Sequence, residues 1–521
     1  MGKYLNIGLD GFASLRNGNY IDKSMLISYI NDNLNTPDNL ICVSRPRRFG
    51  KSSAIKMIAA YFDCTVNSHS LFDDLLISKT QSYSKFINSY NVICLDITWF
   101  ITISNNINNV VDVLQKEVTD ELAKAFPNVK RSFSLPEMIA DIAEQTGTKF
   151  IILIDEWDAL FREAKNNIEL QKSYIKMLRG LFKNTHTDKS IAAAYMTGIL
   201  PIKKYGTESA LNNFDEFTMI NPAPLSQYIG FTEEEVKSLC EKHSMDFSSM
   251  KNWYDGYVFG NLHIYNPKSV LDAIKRQSFS SYWTQTETYE SLKHYINMNF
   301  DGLKLAVLFM LEGGRCNIIT RKFQNDIINI NSKDDVLTLL VHLGYLAFDN
   351  NTNEVYIPNK EIEAEFRNVL EESDWHIIAE ELEQSEQLLK ATLKGDAQTA
   401  AKIISAVHMK NTSILNYNNE NSLASIIDRA YFTAKRNYII CRELPTGKGF
   451  ADLAFIPRKG KELPAMVIEL KWDKSAESAI EQIHAKEYPE RLKDFAHDMI
   501  LIGINYNKDT KEHTCKIERI N

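Results

Sequence analysis

Three groups of residues in this chain have the types and spacing that chemistry on phosphates requires. Gly50-Lys51-Ser52 follows a short basic loop, Arg45-Pro46-Arg47-Arg48-Phe49, which itself follows the apolar run Leu40-Ile41-Cys42-Val43. Asp155-Glu156 closes a second apolar run, Phe150 to Ile154. Asp452, Glu469 and Lys471 lie on two strand-like stretches near the tail, GFADLAFI and VIELKWD.

The first group predicts a strand, a tight loop and a helix that begins at Lys51. A helix start turns free N–H groups and the positive end of its dipole toward an anion. Gly50 lets backbone approach a phosphate where a Cβ would crowd it. Lys51 is placed to reach the β and γ phosphates of a nucleotide, and Ser52 to hold Mg²⁺. Arg47, Arg48, Phe49 and Ser53 complete the expected nucleotide-binding set. The pattern GxxxxGK[ST] asks for glycine where this chain has Arg45, and Pro46 stiffens the loop further. The plain alternative is a strand-to-helix turn with a solvated basic loop.

The second group fits an acidic strand end. Asp155 is expected to bind Mg²⁺, directly or through water, and Glu156 to polarise the attacking water. Asp96 ends another buried run, Asn91 to Thr98, on the edge where open α/β sheets bind ligands. Ile191 to Ile199 predicts a further strand. Its end, Thr197-Gly198, reads either as a sensor of the γ-phosphate or as a turn that needs glycine. Arg162, Arg179 and Lys183 are candidates for an activating cation, and nothing in the sequence chooses among them.

In the third group, residues two apart on a strand share a face. Glu469 and Lys471 therefore face one way, and Ile468 and Leu470 the other. A charged pair turned inward on an apolar strand is costly without a partner or a metal. An Asp and a Glu on neighbouring strands can hold Mg²⁺, and Lys471 can orient water or offset transition-state charge. Glu420 could add a metal ligand from a helix. Gln482 and Tyr488, on EQIHAKEY, could bind backbone phosphate or support the metal's ligands. The plain alternative is an edge strand with solvent-facing Glu and Lys.

Positioning these groups takes a chain of several domains, and 521 residues provide it. Alternating strands and helices up to residue 230 predict a mostly parallel sheet covered on both faces. Ser134 and Glu137 have capping-box spacing, as do Thr232 and Glu235. Asp22 or Ser24 should cap an early helix. Residues 231–374 read as helical and aromatic, and Asp334 to Ile357 as helix, strand, polar turn, strand. That resembles a winged helix, whose acidic side chains favour packing over DNA contact. Residues 375–521 read as a helical connector and the tail site. The net charge of −8 excludes a wholly basic nucleic-acid coat but leaves room for a local groove. Seven scattered cysteines without a CxxC pair read as reduced thiols, not a zinc site or a disulfide frame. No signal core or bilayer-length apolar run is visible, so a cytoplasmic location and no membrane partner are expected.

YIDKS, SRPRRFGKSS and IILIDEWDAL together resemble the predicted AAA-ATPase-like family of bacterial proteins. ENSLASII, RELPTGKGFADLAFIP, VIELKW and EQIHAKEY resemble the PD-(D/E)XK nuclease superfamily. The resemblance implies an α/β architecture: a P-loop NTPase domain, a helical and winged-helix middle, and a restriction-endonuclease-like tail. It implies Gly50, Lys51, Ser52 and Asp155 at the nucleotide, and Asp452, Glu469 and Lys471 as the nuclease triad. The usual proline before the first Asp is Ala451 here, which carries no chemistry. ATP and Mg²⁺ are the expected cofactors and nucleic acid, DNA first, the expected partner; self-association is left open. The leading expectation is ATP-gated, Mg²⁺-dependent phosphodiester cleavage. The alternative is a nucleotide-dependent switch or scaffold whose tail binds nucleic acid or protein without cutting. A purely regulatory DNA-binding protein would need a basic recognition helix, which the sequence lacks.

Overall fold

The computed structural model describes residues 2–202, 204–205, 208–209, 211–283, 288–298, 300, 302–323, 330–371, 376–411, 420–446, 449–458, 463–486 and 498–520. The chain divides into two compact units. One comprises Met1–Lys304 and Arg315–Arg367, the other Leu305–Gly314 and Asn368–Asn521. Among the described residues no helix is long and apolar enough to cross a membrane.

The apolar runs of the first unit form a five-stranded parallel sheet. Its order is Asn91–Asp96, Phe150–Asp155, Ile191–Gly198, Leu40–Ser44, Asp215–Phe217. Period two splits each strand between two layers. Leu40, Cys42, Ile152, Ile154, Ala194 and Met196 pack with apolar residues of helices Val110–Ala125, Leu135–Thr146 and Ile168–Phe182. Helix Lys51–Phe62 lies against the strands as well. Strand Ile191–Gly198 runs between the strand that feeds the basic loop and the strand that ends in Asp155. All three carboxyl ends therefore open on one edge, with Thr197 between the other two motifs.

The caps divide. Thr232 and Glu235 form the expected box: the Thr232 side chain accepts from Glu235 N, and Glu235 Oε2 accepts from Thr232 N at 2.7 Å. Ser134 sits at the N-cap of Leu135–Thr146 but makes no side-chain cap bond. Ser132 Oγ donates to Glu137 Oε2 at 2.5 Å, so the glutamate is taken by the serine two residues upstream. Nor does Ser24 cap helix Met25–Asn33 through its side chain. Asp22 accepts instead from the backbone N–H of Ser24 and Leu76, each at 2.8 Å, and ties the helix entry to a distant loop.

Later in the same unit, helix Lys333–Leu343 is followed by strands Ala347–Asp349 and Glu354–Tyr356. This is the expected helix, strand, turn, strand order. A third strand, Cys316–Asn317, pairs on the far side of Glu354–Tyr356.

The second unit holds a mixed sheet of order Tyr438–Thr446, Gly449–Pro457, Ala465–Trp472, Met499–Asn507, Glu512–Ile520. Only Ala465–Trp472 and Met499–Asn507 pair in parallel, joined through helix Ala476–Ala485. Met466, Ile468 and Leu470 face helices Ala397–Asn411 and Glu420–Ala430 through Ile404, Leu423 and Ile427. Ala465 and Val467 face helix Ala476–Ala485 through Ile480 and Ile483. A strand buried on both faces has no solvent side, which excludes the edge-strand alternative for Glu469 and Lys471.

Candidate functional site

At the first site, Gly50 takes φ +94° as the N-cap of helix Lys51–Phe62, and Arg48 takes φ +69°. An added Cβ on Gly50 would meet nothing within 4 Å, so its backbone conformation is what calls for glycine. Arg45, where the motif expects glycine, is fully buried and keeps ordinary backbone. Its Nη1 donates to the carbonyls of Ser44 (3.0 Å) and Phe217 (3.2 Å), and its guanidinium lies 5.5 Å from the Phe259 ring. Burial pulls its pKa down to about 10. The departure from the motif is thus a buried strut under the loop.

Lys51 is 4% exposed. Its Nζ donates to the carbonyls of Arg45 and Pro46, each at 3.1 Å, and stands 3.6 Å from Glu156 Oε1. Burial pushes its pKa down, opposed by Glu156 and Asp155. The Ser52 hydroxyl lies near enough to the Asp155 carboxylate to favour its charged form. A cavity of about 630 Å³ opens over Arg47, Arg48, Gly50, Lys51, Ser52, Ser53, Glu156 and Arg162. An apolar cavity adjoins it, lined by Tyr20, Ile21, Phe49, Met57, Phe231 and Leu271. Phe49 is buried edge-on against Tyr257, with ring centroids 5.4 Å apart. Arg48 Nη1 donates to the Tyr282 carbonyl at 3.0 Å. Gly344 lies so close to Pro46 that an added Cβ would come within 2.8 Å of that ring.

Asp155 stands beside Asp96 in the strand register. Burial, helped by Glu156 and Asp96, pushes its carboxyl up to about 6 against the pull of Ser52 and Lys51. Asp96 itself caps helix Ile97–Ile103, accepting from Thr98 N at 2.9 Å and Trp99 N at 3.3 Å. Because the native pKa of Asp155 lies above the unfolded value, the native state binds the extra proton between about 4 and 6. Stability from this group is full below that window and is lost as pH rises through it. A metal needs the carboxylate, so the proton competes with it. Mg²⁺ affinity measured with bound nucleotide is expected to fall about tenfold per unit as pH drops below about 6. A flat titration from pH 7 to 5 would exclude Asp155 as a ligand.

Glu156 takes φ +49°. Its Oε2 accepts from Arg162 Nη2 in a short contact, while Oε1 faces Lys51. Arg162 Nε also donates to Asp158 Oδ2 at 3.0 Å. Asp158 is buried and accepts from the backbone N–H of Ile199 (3.2 Å) and Leu200 (3.0 Å). Of the three candidate cations, Arg162 lines the cavity; Lys183 instead donates to Asn212 at 2.8 Å, and Arg179 is not among the lining residues. Thr197 Oγ1 is buried without a hydrogen-bond partner among the described residues. No motif marks the Asp158 anchor in the sequence; its one signal is the helical i, i+4 spacing of Asp158 and Arg162 in DEWDALFR.

At the second site, strand Gly449–Pro457 pairs with Tyr438–Thr446 in one register on both sides of Asp452, through Arg442↔Leu453 and Leu444↔Ala451, and Glu443, opposite Asp452, takes φ +50°. Asp452 Oδ2 accepts from Leu470 N at 2.7 Å, one residue beyond Glu469. Lys471 Nζ donates to Glu469 Oε1 at 3.1 Å and to Gln482 Oε1 at 2.8 Å. Gln482 Nε2 donates to the same Glu469 oxygen in a short contact. Glu469 and Lys471 are 2% and 7% exposed. Glu469 Oε2 is buried with no hydrogen-bond partner among the described residues. Burial first, and then the charge of Asp452, raises the Glu469 pKa; Lys471 and Lys486 oppose it. Glu420 opens helix Glu420–Ala430, but its side chain lies outside the described residues, as does Tyr488.

Residues 6–207 match the family model described as predicted AAA-ATPase, and residues 418–515 match that of the PD-(D/E)XK nuclease superfamily. Each end of the chain thus resembles one of these families. The stretch that matches the AAA-ATPase model carries Gly50 to Ser53, Asp155 and Glu156; the stretch that matches the nuclease-superfamily model carries Glu420, Asp452, Glu469, Lys471, Gln482 and Tyr488. An uncharacterised protein in the vnfD 5′ region of Azotobacter chroococcum mcd 1 is 24% identical over 294 residues. The match covers 55% of this chain and 54% of that relative, so the chain spans about half the relative's length. Similar solved structures include the Walker-type ATPase PABY2304 of Pyrococcus abyssi, 14% identical, covering 66% of this chain and 94% of that one at TM-score 0.34. The Aeropyrum pernix ORC2 protein is 11% identical, covering 68% and 97% at TM-score 0.30. AMPPCP-bound DnaA from Aquifex aeolicus is 11% identical, covering 70% and 93% at TM-score 0.26.

Within the first unit one more polar cluster forms beyond the matched residues. The ligand atoms of Glu233, Asp255 and His263 lie within 4.8 Å of one another. Lys251 Nζ is 2.6 Å from Glu233 and 4.0 Å from Asp255, so a side-chain cation already balances this group.

Proposed function

We propose that the AAA-ATPase region binds and hydrolyses ATP, and that the nuclease-superfamily region cleaves nucleic-acid phosphodiester bonds under nucleotide control. The observation that carries the cleavage reading is the buried Glu469 Oε2, which has no hydrogen-bond partner among the described residues and lies beside Asp452 and Lys471. An unpartnered carboxylate oxygen inside a protein is costly, and a hard cation satisfies it. The donors are carboxylate oxygens, which suit Mg²⁺ better than a soft metal. Asp452 and Glu469 would hold it, with Glu420 as a further candidate. When bound, Mg²⁺ lowers the pKa of a water and offsets charge on the scissile phosphate. The Lys471 side chain stands beside that position, and Gln482 fixes both Lys471 and Glu469 in place. Tyr488 is proposed as a contact to backbone phosphate.

At the first site Lys51 meets the β and γ phosphates, Ser52 and Asp155 would hold Mg²⁺, and Glu156 takes a proton from the attacking water. Arg47, Arg48 and Ser53 line the space for the phosphate chain, and the apolar cavity beside Phe49 suits a base. The 3.1 Å ion pair of Lys471 with Glu469 favours a second reading, in which a site closed on itself binds nucleic acid without cutting.

Incubation with single- and double-stranded DNA and RNA, with and without ATP and Mg²⁺, separates the two. The expected result is cleavage of DNA that requires Mg²⁺, stops with EDTA and changes rate with ATP. Binding without cleavage of any substrate would replace the nuclease reading with the scaffold.

A further inference from the structure

Glu156 is held in a way that the hydrolytic reading alone does not require. Both of its carboxylate oxygens face cations: Oε1 stands 3.6 Å from Lys51 Nζ, and Oε2 accepts from Arg162. The two cations differ in what holds them. Apart from Glu156, Lys51 is tied among the described residues to loop carbonyls, those of Arg45 and Pro46. Arg162 is tied to Asp158, which is itself fixed by the backbone N–H groups of Ile199 and Leu200 at the end of the central strand. One partner can leave and the other cannot.

From this asymmetry we infer that Arg162 is a positioning residue for Glu156, and that Lys51 is a removable block on the same carboxylate. The inference rests on the ATPase reading given above. With no nucleotide, the Lys51 charge faces Oε1 at 3.6 Å and competes with a water for it. A triphosphate offers the Lys51 ammonium several charged oxygens, stronger partners than one carboxylate shared with two carbonyls. Lys51 then turns to the phosphates, and Oε1 is released. Arg162 keeps Oε2 and so holds the freed oxygen toward the cavity. The left-handed backbone of Glu156 (φ +49°) fixes the same direction from the other end of the side chain. In the reaction the water oxygen bonds to the terminal phosphorus as the bond from that phosphorus to the ADP oxygen breaks. The proton given up by the water goes to Oε1. Arg162 touches neither water nor phosphate in this scheme; it acts through Glu156.

The test uses the full chain and reads binding and turnover separately. Arg162→Ala is expected to lower kcat for ATP tenfold to a hundredfold while leaving KM and the affinities for ADP and a non-hydrolysable ATP analogue unchanged. Arg162→Lys should restore part of the rate, and added guanidinium ion should restore part of it to Arg162→Ala. A selective loss of analogue affinity over ADP would overturn the inference, since Arg162 would then be a phosphate contact. So would an unchanged or faster kcat. Thermal melting of Arg162→Lys guards against an unfolded variant, because its ammonium can still pair with Asp158. Wild-type protein that binds nucleotide without turning it over would instead sink the ATPase reading itself.

Discussion

Lys51→Ala is expected to abolish ATP turnover and to weaken nucleotide binding by about a hundredfold or more. The ammonium is 4% exposed, so its contacts form away from water, where charge-assisted hydrogen bonds are worth most. Two such bonds to phosphate, at about 1.5–3 kcal/mol each, give a loss of that order. The variant should fold. The bonds it removes within the protein are two to loop carbonyls and a 3.6 Å ion pair, and none belongs to the sheet. Titration with a fluorescent nucleotide and a phosphate-release assay read the two effects. Wild-type affinity in the variant would show that the loop does not hold the phosphates.

Asp452→Asn is expected to stop nucleic-acid cleavage, by about a thousandfold or more, while sparing ATP turnover. Loss of one carboxylate from a metal site removes several kcal/mol of transition-state stabilisation. Asp452 is the better position to change than Glu469 for a physical reason. Removing Glu469 would leave the Lys471 ammonium buried and unpaired, which costs about 3–5 kcal/mol and confuses folding with catalysis. Asp452 is half-buried, and the amide oxygen of asparagine can still accept from Leu470 N. Persistent cutting by a purified Asp452→Asn preparation would remove Asp452 from the site.

The two sites were legible in the sequence to different depths. Period two alone put Glu469 and Lys471 on one face, and the structure has them 3.1 Å apart on the face toward helix Ala476–Ala485. Apolar runs ending in Asp96, Asp155 and Gly198 identified the parallel strands, since a strand buried on both sides needs no alternation. What stayed hidden depends on contacts that no local pattern encodes. Glu137 turned to Ser132 and not to Ser134, a choice made by side-chain reach. The burial of Arg45 depends on Phe217 and Phe259, far away in sequence. The last two strands, Met499–Asn507 and Glu512–Ile520, are as apolar or alternating as the others but carry no chemical motif to mark them.

The basic loop is bolted to the middle of its own unit. Arg48 bonds to the Tyr282 carbonyl, Phe49 abuts Tyr257, and Pro46 presses on Gly344, whose carbonyl accepts from Tyr257 Oη at 2.5 Å. Whatever adjustment the loop makes around a triphosphate is therefore felt at Tyr257, Tyr282 and Gly344. Thermodynamic reciprocity makes the converse equally strict: a molecule that docks on that region and shifts those three residues alters the nucleotide dissociation constant by the same factor that nucleotide alters its own.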